Sequence, residues 1–274
     1  MRPGNRFDYL EDGQMRHGFR RKAVGLLPFL GHVGTAVVIS VQNLAVRAGT
    51  FRLDNVSLDV PSGGYAVLMG RTGTGKTTLL EALCGLKSVT AGKVVLMGRD
   101  VTHLKPAERG IGFVPQEGAL FPTMTVRRQL GFSLVIRKRT RREIKKRVDE
   151  LASLLGLSSL LDRRPEGLSG GERQRIALGR ALAAHPGVLC LDEPLSALDD
   201  DTREEMYSLL RSVREQSGVT TLHITHNRAE AALLADTMFQ IENGRIRQVP
   251  INQFDRSEPF EVSEEVSDAE RVEA

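Results

Sequence analysis

The chain has 274 residues, 41% of them hydrophobic and 26% charged, with a formal net charge of +4. That balance is globular and excludes a disordered, collagen-like or disulfide-stapled protein. Charge divides the chain into a loose N-terminal extension over residues 1–35 (+3), a mildly basic body over residues 36–249 (+7) and an acidic tail over residues 250–274 (−6).

From Ala23 to Val46 no residue is charged, and Arg20-Arg21-Lys22 stands before the stretch, as in signal peptides and weak membrane spans. Gly25, Pro28, Gly31 and Gly34 interrupt it, and the β-branched run Val37-Val38-Ile39 predicts a first strand over residues 37–46 instead. Phe51, Leu53, Val56, Leu58 and Val60 alternate as a second strand with one slip at Asp54-Asn55, followed by a turn at Pro61-Ser62-Gly63-Gly64. Tyr65-Ala66-Val67-Leu68-Met69 is apolar throughout, as expected of a strand covered on both faces, and Val188-Leu189-Cys190-Leu191 and residues 219–224 repeat the pattern. Helical spacing puts Ile144, Val148, Leu151 and Leu155 on one face with Gly156 as the stop. Met206, Leu209, Leu210 and Val213 do the same before Gly218. Asn243-Gly244 signals a closing hairpin. Alternating strands and helices predict an α/β fold with a mostly parallel sheet, and the early alternating strands predict an added antiparallel piece. Cys84 and Cys190, in apolar surroundings without zinc-type spacing, read as buried thiols of a reducing compartment. Aromatic residues at 5%, with no Trp, argue against a stacking platform for single-stranded nucleic acid, and none is expected as a partner.

Three segments carry chemistry. Gly70-Arg71-Thr72-Gly73-Thr74-Gly75-Lys76-Thr77 fits G-x-x-x-x-G-K-[ST] between a buried-type strand and a helix that continues with Thr78. Its glycines let successive N–H groups converge on phosphate oxygens, Lys76 supplies a point charge, and the Thr77 hydroxyl is a ligand for Mg²⁺. The strand 188–191 runs into Asp192-Glu193, two acids that a buried strand end tolerates when they meet a cation or a proton: Asp192 for Mg²⁺, Glu193 to polarise an attacking water. Ser169-Gly170-Gly171-Glu172 precedes a helix predicted over residues 173–184. It has the spacing of a capping box, but two glycines in a first turn cost helix stability and suit close approach to a phosphate.

Together these segments resemble the ATP-binding subunit of an ABC transporter, over roughly residues 37–249. The resemblance names residues 70–78 as Walker A, Gln116 in Phe113-Val114-Pro115-Gln116 as the Q-loop glutamine, and residues 168–172 as the signature. It further names residues 188–193 as Walker B, Ser196-Ala197-Leu198-Asp199 as the D-loop and His226 as the switch histidine. It implies a P-loop NTPase (RecA-like) core with an antiparallel β subdomain and an inserted helical subdomain at about residues 117–167. It also implies ATP and Mg²⁺ as ligands, the metal held by Thr77, Gln116 and Asp192. Glu193, His226 and Gln116 would be the catalytic set. Ser169, Gly170, Gly171 and Glu172 would close on the ATP of a second copy in a two-fold dimer or pseudo-dimer, with Asp199 at the seam. Where the family places an adenine-stacking aromatic, near the first strand, this chain has Ala48, with Phe51 as the nearby substitute.

The stretch Arg137-Lys138-Arg139-Thr140-Arg141-Arg142 with Lys145-Lys146-Arg147 is read as a solvated helix face with weak attraction to lipid. Residues 116–126 are similar to bacterial importers, most of all the molybdate and tungstate group, with sulfate and polyamine importers nearby. The implied role is a motor subunit, peripheral on the cytoplasmic face of the inner membrane, serving permease subunits and an extracytoplasmic binding protein. Many such subunits carry a C-terminal β-rich regulatory domain, which the acidic tail leaves no room to expect. The alternative is a soluble ABC ATPase of iron–sulfur assembly or DNA repair.

Overall fold

The structure, a computed structural model, describes residues 36–49 and 51–251. Most of the expected extension and acidic tail therefore lies outside the described residues, as does the uncharged stretch before Ala36.

Strands β1 (Val37–Ala48), β2 (Phe51–Pro61), β4 (Val89–Leu96) and β5 (Arg99–Asp100) build an antiparallel sheet in the order β2-β1-β4-β5. The slip at Asp54-Asn55 is a bulge: Asn55 sits at φ 53°, and the register jumps between Leu44↔Val56 and Val46↔Leu53. The second sheet runs β10-β9-β3-β8-β7-β6, with β3 (Tyr65–Met69), β6 (Ile111–Val114), β7 (Val188–Asp192), β8 (Thr220–Ile224), β9 (Thr237–Glu242) and β10 (Arg245–Val249). Pairings β6·β7, β7·β8, β8·β3 and β3·β9 are parallel, and only β10 is antiparallel, closing the hairpin at Asn243-Gly244. Helices are α1 (Lys76–Cys84), α2 (Val126–Ile136), α3 (Arg141–Leu154), α4 (Gly170–Leu182), α5 (Asp200–Ser217) and α6 (Arg228–Leu234). Among the described residues no helix is long and apolar enough to cross a membrane.

The parallel strands separate two cores, and their alternation decides who faces which. Tyr65, Val67, Met69, Leu189 and Leu191 point into one core with residues of α2–α6. Ala66, Leu68, Val188 and Cys190 point into the other, with α1 and the antiparallel sheet. Cys84 and Cys190 are both buried thiols in that second core.

A buried arginine joins the two sheets' neighbourhoods. Arg109, 3% exposed, donates through Nη1 to the carbonyls of Ala82 and Leu83 (both 2.8 Å), through Nη2 to Thr102 O (2.9 Å) and through Nε to Leu104 O (2.9 Å). A cation at the last turn of α1 also answers the helix's negative end. Gly85, at φ 79°, is the left-handed C-cap of α1, and a Cβ there would come within 2.5 Å of Arg109 Nε.

Candidate functional site

Parallel strands bring their carboxyl ends to one edge, and the register aligns the candidates there. Leu68 pairs with Ile224, Ile224 with Asp192, and Leu191 with Val114. The segments that continue from these strands hold Gly70, Asp192-Glu193, His226 and Gln116. Ligand sites in open parallel sheets form at this edge.

The phosphate loop is built by turns. Thr74 donates its N–H (3.3 Å) and hydroxyl (2.8 Å) to Arg71 O, Gly73 sits at φ 83° and Gly75 at φ 96°. A Cβ at Gly70 would stand 2.7 Å from both the Ile241 Cγ2 and its carbonyl oxygen, so the loop can pass there only as bare backbone. Gly75 caps α1 with no side-chain hydrogen bond, which leaves the first-turn N–H groups as an anion site. Phe51 lies against this loop: a Cβ on Gly75 would be 2.6 Å from its Cζ. The ring is therefore engaged under the phosphate loop, and Ala48 brings no aromatic of its own.

Lys76, 6% exposed, donates from Nζ to Gly70 O (2.8 Å) and Arg71 O (3.0 Å). Burial holds its ammonium below the ordinary lysine range, while the charges of Glu193 and Asp192 pull it up. Thr77 Oγ1 donates to Asp192 Oδ1 at 3.3 Å. Burial raises the Asp192 carboxyl, opposed by that hydrogen bond, and neighbouring Glu193 and Glu81 raise it further. A buried carboxylate beside a threonine hydroxyl is the hard-oxygen pair that Mg²⁺ takes when phosphates supply further ligands, so Thr77 and Asp192 fit that metal. Gln116 is exposed beyond the end of β6.

Glu193 takes a left-handed conformation (φ 44°), and its N–H bonds to Ile224 O at 2.9 Å, tying it to the end of β8, the strand that leads to His226. Its Oε2 lies 3.2 Å from His226 Nδ1; the carboxylate is largely covered, whereas the imidazole is 62% exposed. An acid held at a strained position and bridged to an imidazole is suited to accept a proton from water.

The signature residues occupy the N-terminus of α4, which starts at Gly170, three residues before its predicted start. Ser169 caps it: Oγ accepts from Glu172 N (3.1 Å) and Glu172 Oε2 accepts from Ser169 N (2.7 Å). The capping box thus forms, and it draws both glycines into the first turn. Gly171 has a packing reason as well, since a Cβ there would meet Thr202 Cγ2 at 2.5 Å. Thr202 is held by Asp199, which caps α5 by accepting from Thr202 N and Oγ1 (both 2.9 Å); these bonds keep the Asp199 carboxyl below its usual range. Signature and D-loop are in this way one packed unit.

Sequence reasoning did not find two supports. Arg180, in the last turn of α4, donates to Ala119 O (2.7 Å) and Gly118 O (3.2 Å) and lies over the Phe121 ring, 5.2 Å from its centroid, so α4 holds the loop after Gln116. Behind the histidine, Tyr65 Oη is 2.9 Å from His223 Nδ1, and His223 Nε2 is 3.5 Å from Glu230 Oε2, all three groups buried. Burial lowers the His223 imidazole to about 3 and raises the Glu230 carboxyl. Helix-terminal Arg and mid-strand His are signals too common to single out without neighbours.

A profile of the ABC transporter family matches residues 53–196. The sulfate/thiosulfate import ATP-binding protein CysA of Nocardia farcinica is 46% identical over 222 residues, 80% of this chain and 67% of that protein. The protein of the same name from Mycobacterium tuberculosis is 47% identical over 212 residues, 77% of this chain and 60% of its own length; that of Synechocystis is 43% identical with the same coverage. The chain thus spans about 60 to 67% of these relatives. Among solved structures, the ATP-binding cassette MJ0796, dimeric in a post-hydrolysis state with ADP and Pi, superposes with a TM-score of 0.69 at 28% identity, over 78% of this chain and 98% of that one. A second dimeric structure of MJ0796, described as a bacterial ABC transporter cassette, gives the same TM-score at 29% identity. On the profile, the relatives and the shared cassette fold, the chain belongs to the ABC transporter family, on its ATP-binding side.

Proposed function

We propose that this chain is the ATP-hydrolysing motor subunit of an ABC importer, and one observation carries the reading. Lys76, the Thr77–Asp192 pair and the Glu193–His226 pair converge at one edge of the parallel sheet. The loop of Gly70, Arg71, Thr72, Gly73, Thr74 and Gly75 and the first turn of α1, with Thr78, wrap the phosphates, while Lys76 exchanges its loop carbonyls for phosphate oxygens. Thr77 and Asp192, with Gln116, would hold Mg²⁺, which would supply charge neutralisation on the phosphates. Glu193 accepts the proton of the attacking water, and His226 orients that water and the terminal phosphate. Ser169, Gly170, Gly171 and Glu172 close on the nucleotide of a second copy, with Asp199 at the seam. The dimeric MJ0796 structures support that arrangement.

The motor sits on the cytoplasmic face of the membrane, beneath permease subunits fed by an extracytoplasmic binding protein. Its cargo is an oxyanion. Molybdate is the reading that residues 116–126 suggest, and the relatives, sulfate/thiosulfate import ATP-binding proteins, favour sulfate or thiosulfate within the same class. Within the chain, residues 36–249 act as the ATPase domain, with residues 117–167 as its helical subdomain.

The test is Glu193→Gln. Hydrolysis of MgATP by the purified chain should fall by about a hundredfold or more, and light scattering should show an ATP-dependent dimer. Undiminished turnover would remove Glu193 from its role. A chain that stays monomeric with MgATP would remove the closure in trans.

A further inference from the structure

The turn between α2 and α3 is cationic and capped by aliphatic side chains. Val135 and Ile136, neighbours at the end of α2, are 59% and 64% exposed, the highest values of any large hydrophobic residue described. The chain then turns through Arg137, Lys138, Arg139, Arg141 and Arg142, all exposed. The nearby acids are spent locally. Glu143 closes the cap of α3 by accepting from Thr140 N (2.8 Å), and Glu150 pairs with Arg147 (3.3 Å). Arg137, Lys138, Arg141 and Arg142 have no acidic partner among the described residues. Beside the turn lies a cleft of about 430 Å³, in which Arg137, Arg139, Lys146 and Arg147 outnumber Glu143 and Glu150.

A solvated helix face has no use for its two most exposed aliphatic residues at the tip. A nucleic-acid surface would not place a Val–Ile pair there without aromatic residues beside it. Cationic groups around a small aliphatic tip match one chemistry, that of a membrane interface: headgroup phosphates pair with the Arg and Lys groups while the aliphatic pair enters the acyl boundary. We infer that the α2–α3 turn docks on anionic phospholipid, with a headgroup phosphate in the cleft and Val135 and Ile136 in the bilayer surface. The inference rests on none of the nucleotide-site assignments, so its failure and theirs are separable.

The full chain is tested by co-sedimentation with protein-free vesicles of phosphatidylcholine, alone or doped with phosphatidylglycerol, at low and high salt. Binding is expected only to the anionic vesicles, and it should weaken as salt rises. Arg137→Glu with Arg141→Glu should lower affinity by more than about tenfold, since each basic group near an anionic surface contributes about fivefold. Val135→Ser with Ile136→Ser should reduce binding to anionic vesicles at both salt concentrations, and Arg245→Glu should leave it intact. Basal ATPase activity of every variant should be unchanged, which also shows that each is folded. Three results would overturn the inference. Equal binding by the Arg137→Glu, Arg141→Glu variant is the first. Displacement from vesicles by millimolar glycerol phosphate is the second, marking a soluble-phosphate site. Failure to bind the protein-free anionic vesicles even at low salt is the third, leaving a protein contact as the use of this turn.

Discussion

Replacing Arg109 with Met removes the guanidinium and keeps most of the side chain's bulk. Ala82 O keeps the Gly85 N–H at 3.1 Å, but the carbonyls of Leu83, Thr102 and Leu104 lose the donor that Arg109 gives them. A buried polar group left unpaired costs about 1–3 kcal/mol, and burying the methionine returns about 2. For three carbonyls the net loss is about 1–7 kcal/mol, or a fall in Tm on the order of 10 °C for a domain of this size. Gly85 sharpens the test. Gly85→Ala alone meets the left-handed penalty of about 1 kcal/mol and a clash with a guanidinium fixed by four hydrogen bonds. With Met at position 109 the Cβ meets a flexible, unanchored side-chain end that can swing aside, so mainly the backbone penalty is left. Urea unfolding of the two single variants and the double variant should therefore give a Gly85→Ala cost at least about 1 kcal/mol smaller in the Met background. Additive costs, or an Arg109→Met protein within about 1 kcal/mol of the parent, would refute the account of this residue as the anchor of α1.

Gly171→Ala should cost about 1–3 kcal/mol through the Thr202 methyl, and Thr202→Ser, which keeps the hydroxyl on Asp199, should restore most of it in thermal melts. His223 stays neutral when folded down to about pH 3. Below about pH 6.5 the unfolded chain takes up a proton that the folded protein refuses, so this residue lowers stability as pH falls. Between pH 7 and pH 5 the loss is about 2 kcal/mol; His223→Phe should lose that much less in urea titrations at the two pH values. Glu230, raised by burial, works in the opposite direction in both proteins. Ala48→Phe should tighten ATP binding by about fivefold or more if the base lies over that position, stacking being worth about 1–3 kcal/mol. Calorimetry with ATP and GTP should show the parent discriminating little between them.

The elements that announced themselves in sequence were those whose function or burial restricts every position. The fully apolar runs of β3 and β7 have no alternative to a doubly covered strand, and the phosphate loop needs glycine where Gly70 meets Ile241 and where Gly75 meets Phe51. The strands β4 and β6 and the helices α2 and α6 were not anticipated. β4 is largely exposed over its first half, and α2 buries Gln129 at 0%, a polar side chain used to hold Phe121 and Met124, so periodicity was blurred. Around the site, Gly171 of the signature looked surplus to a cap because its second cause, the methyl of Thr202, is 31 positions away in the chain. The Tyr65–His223–Glu230 line joins residues from three elements, and no linear pattern shows it.

Alternation along β3 and β7 places successive residues in opposite cores, so both halves of the molecule terminate on the same two strands. Melting either side strips one face from the strands that present Gly70 and Asp192, and neither half can come apart alone while the nucleotide cradle persists. Ligand occupancy is then felt by the entire domain: triphosphate at concentrations well above its dissociation constant secures the outer helices and the antiparallel layer alike, by mass action. Depletion of cellular ATP would lower the unfolding threshold of the whole cassette at once.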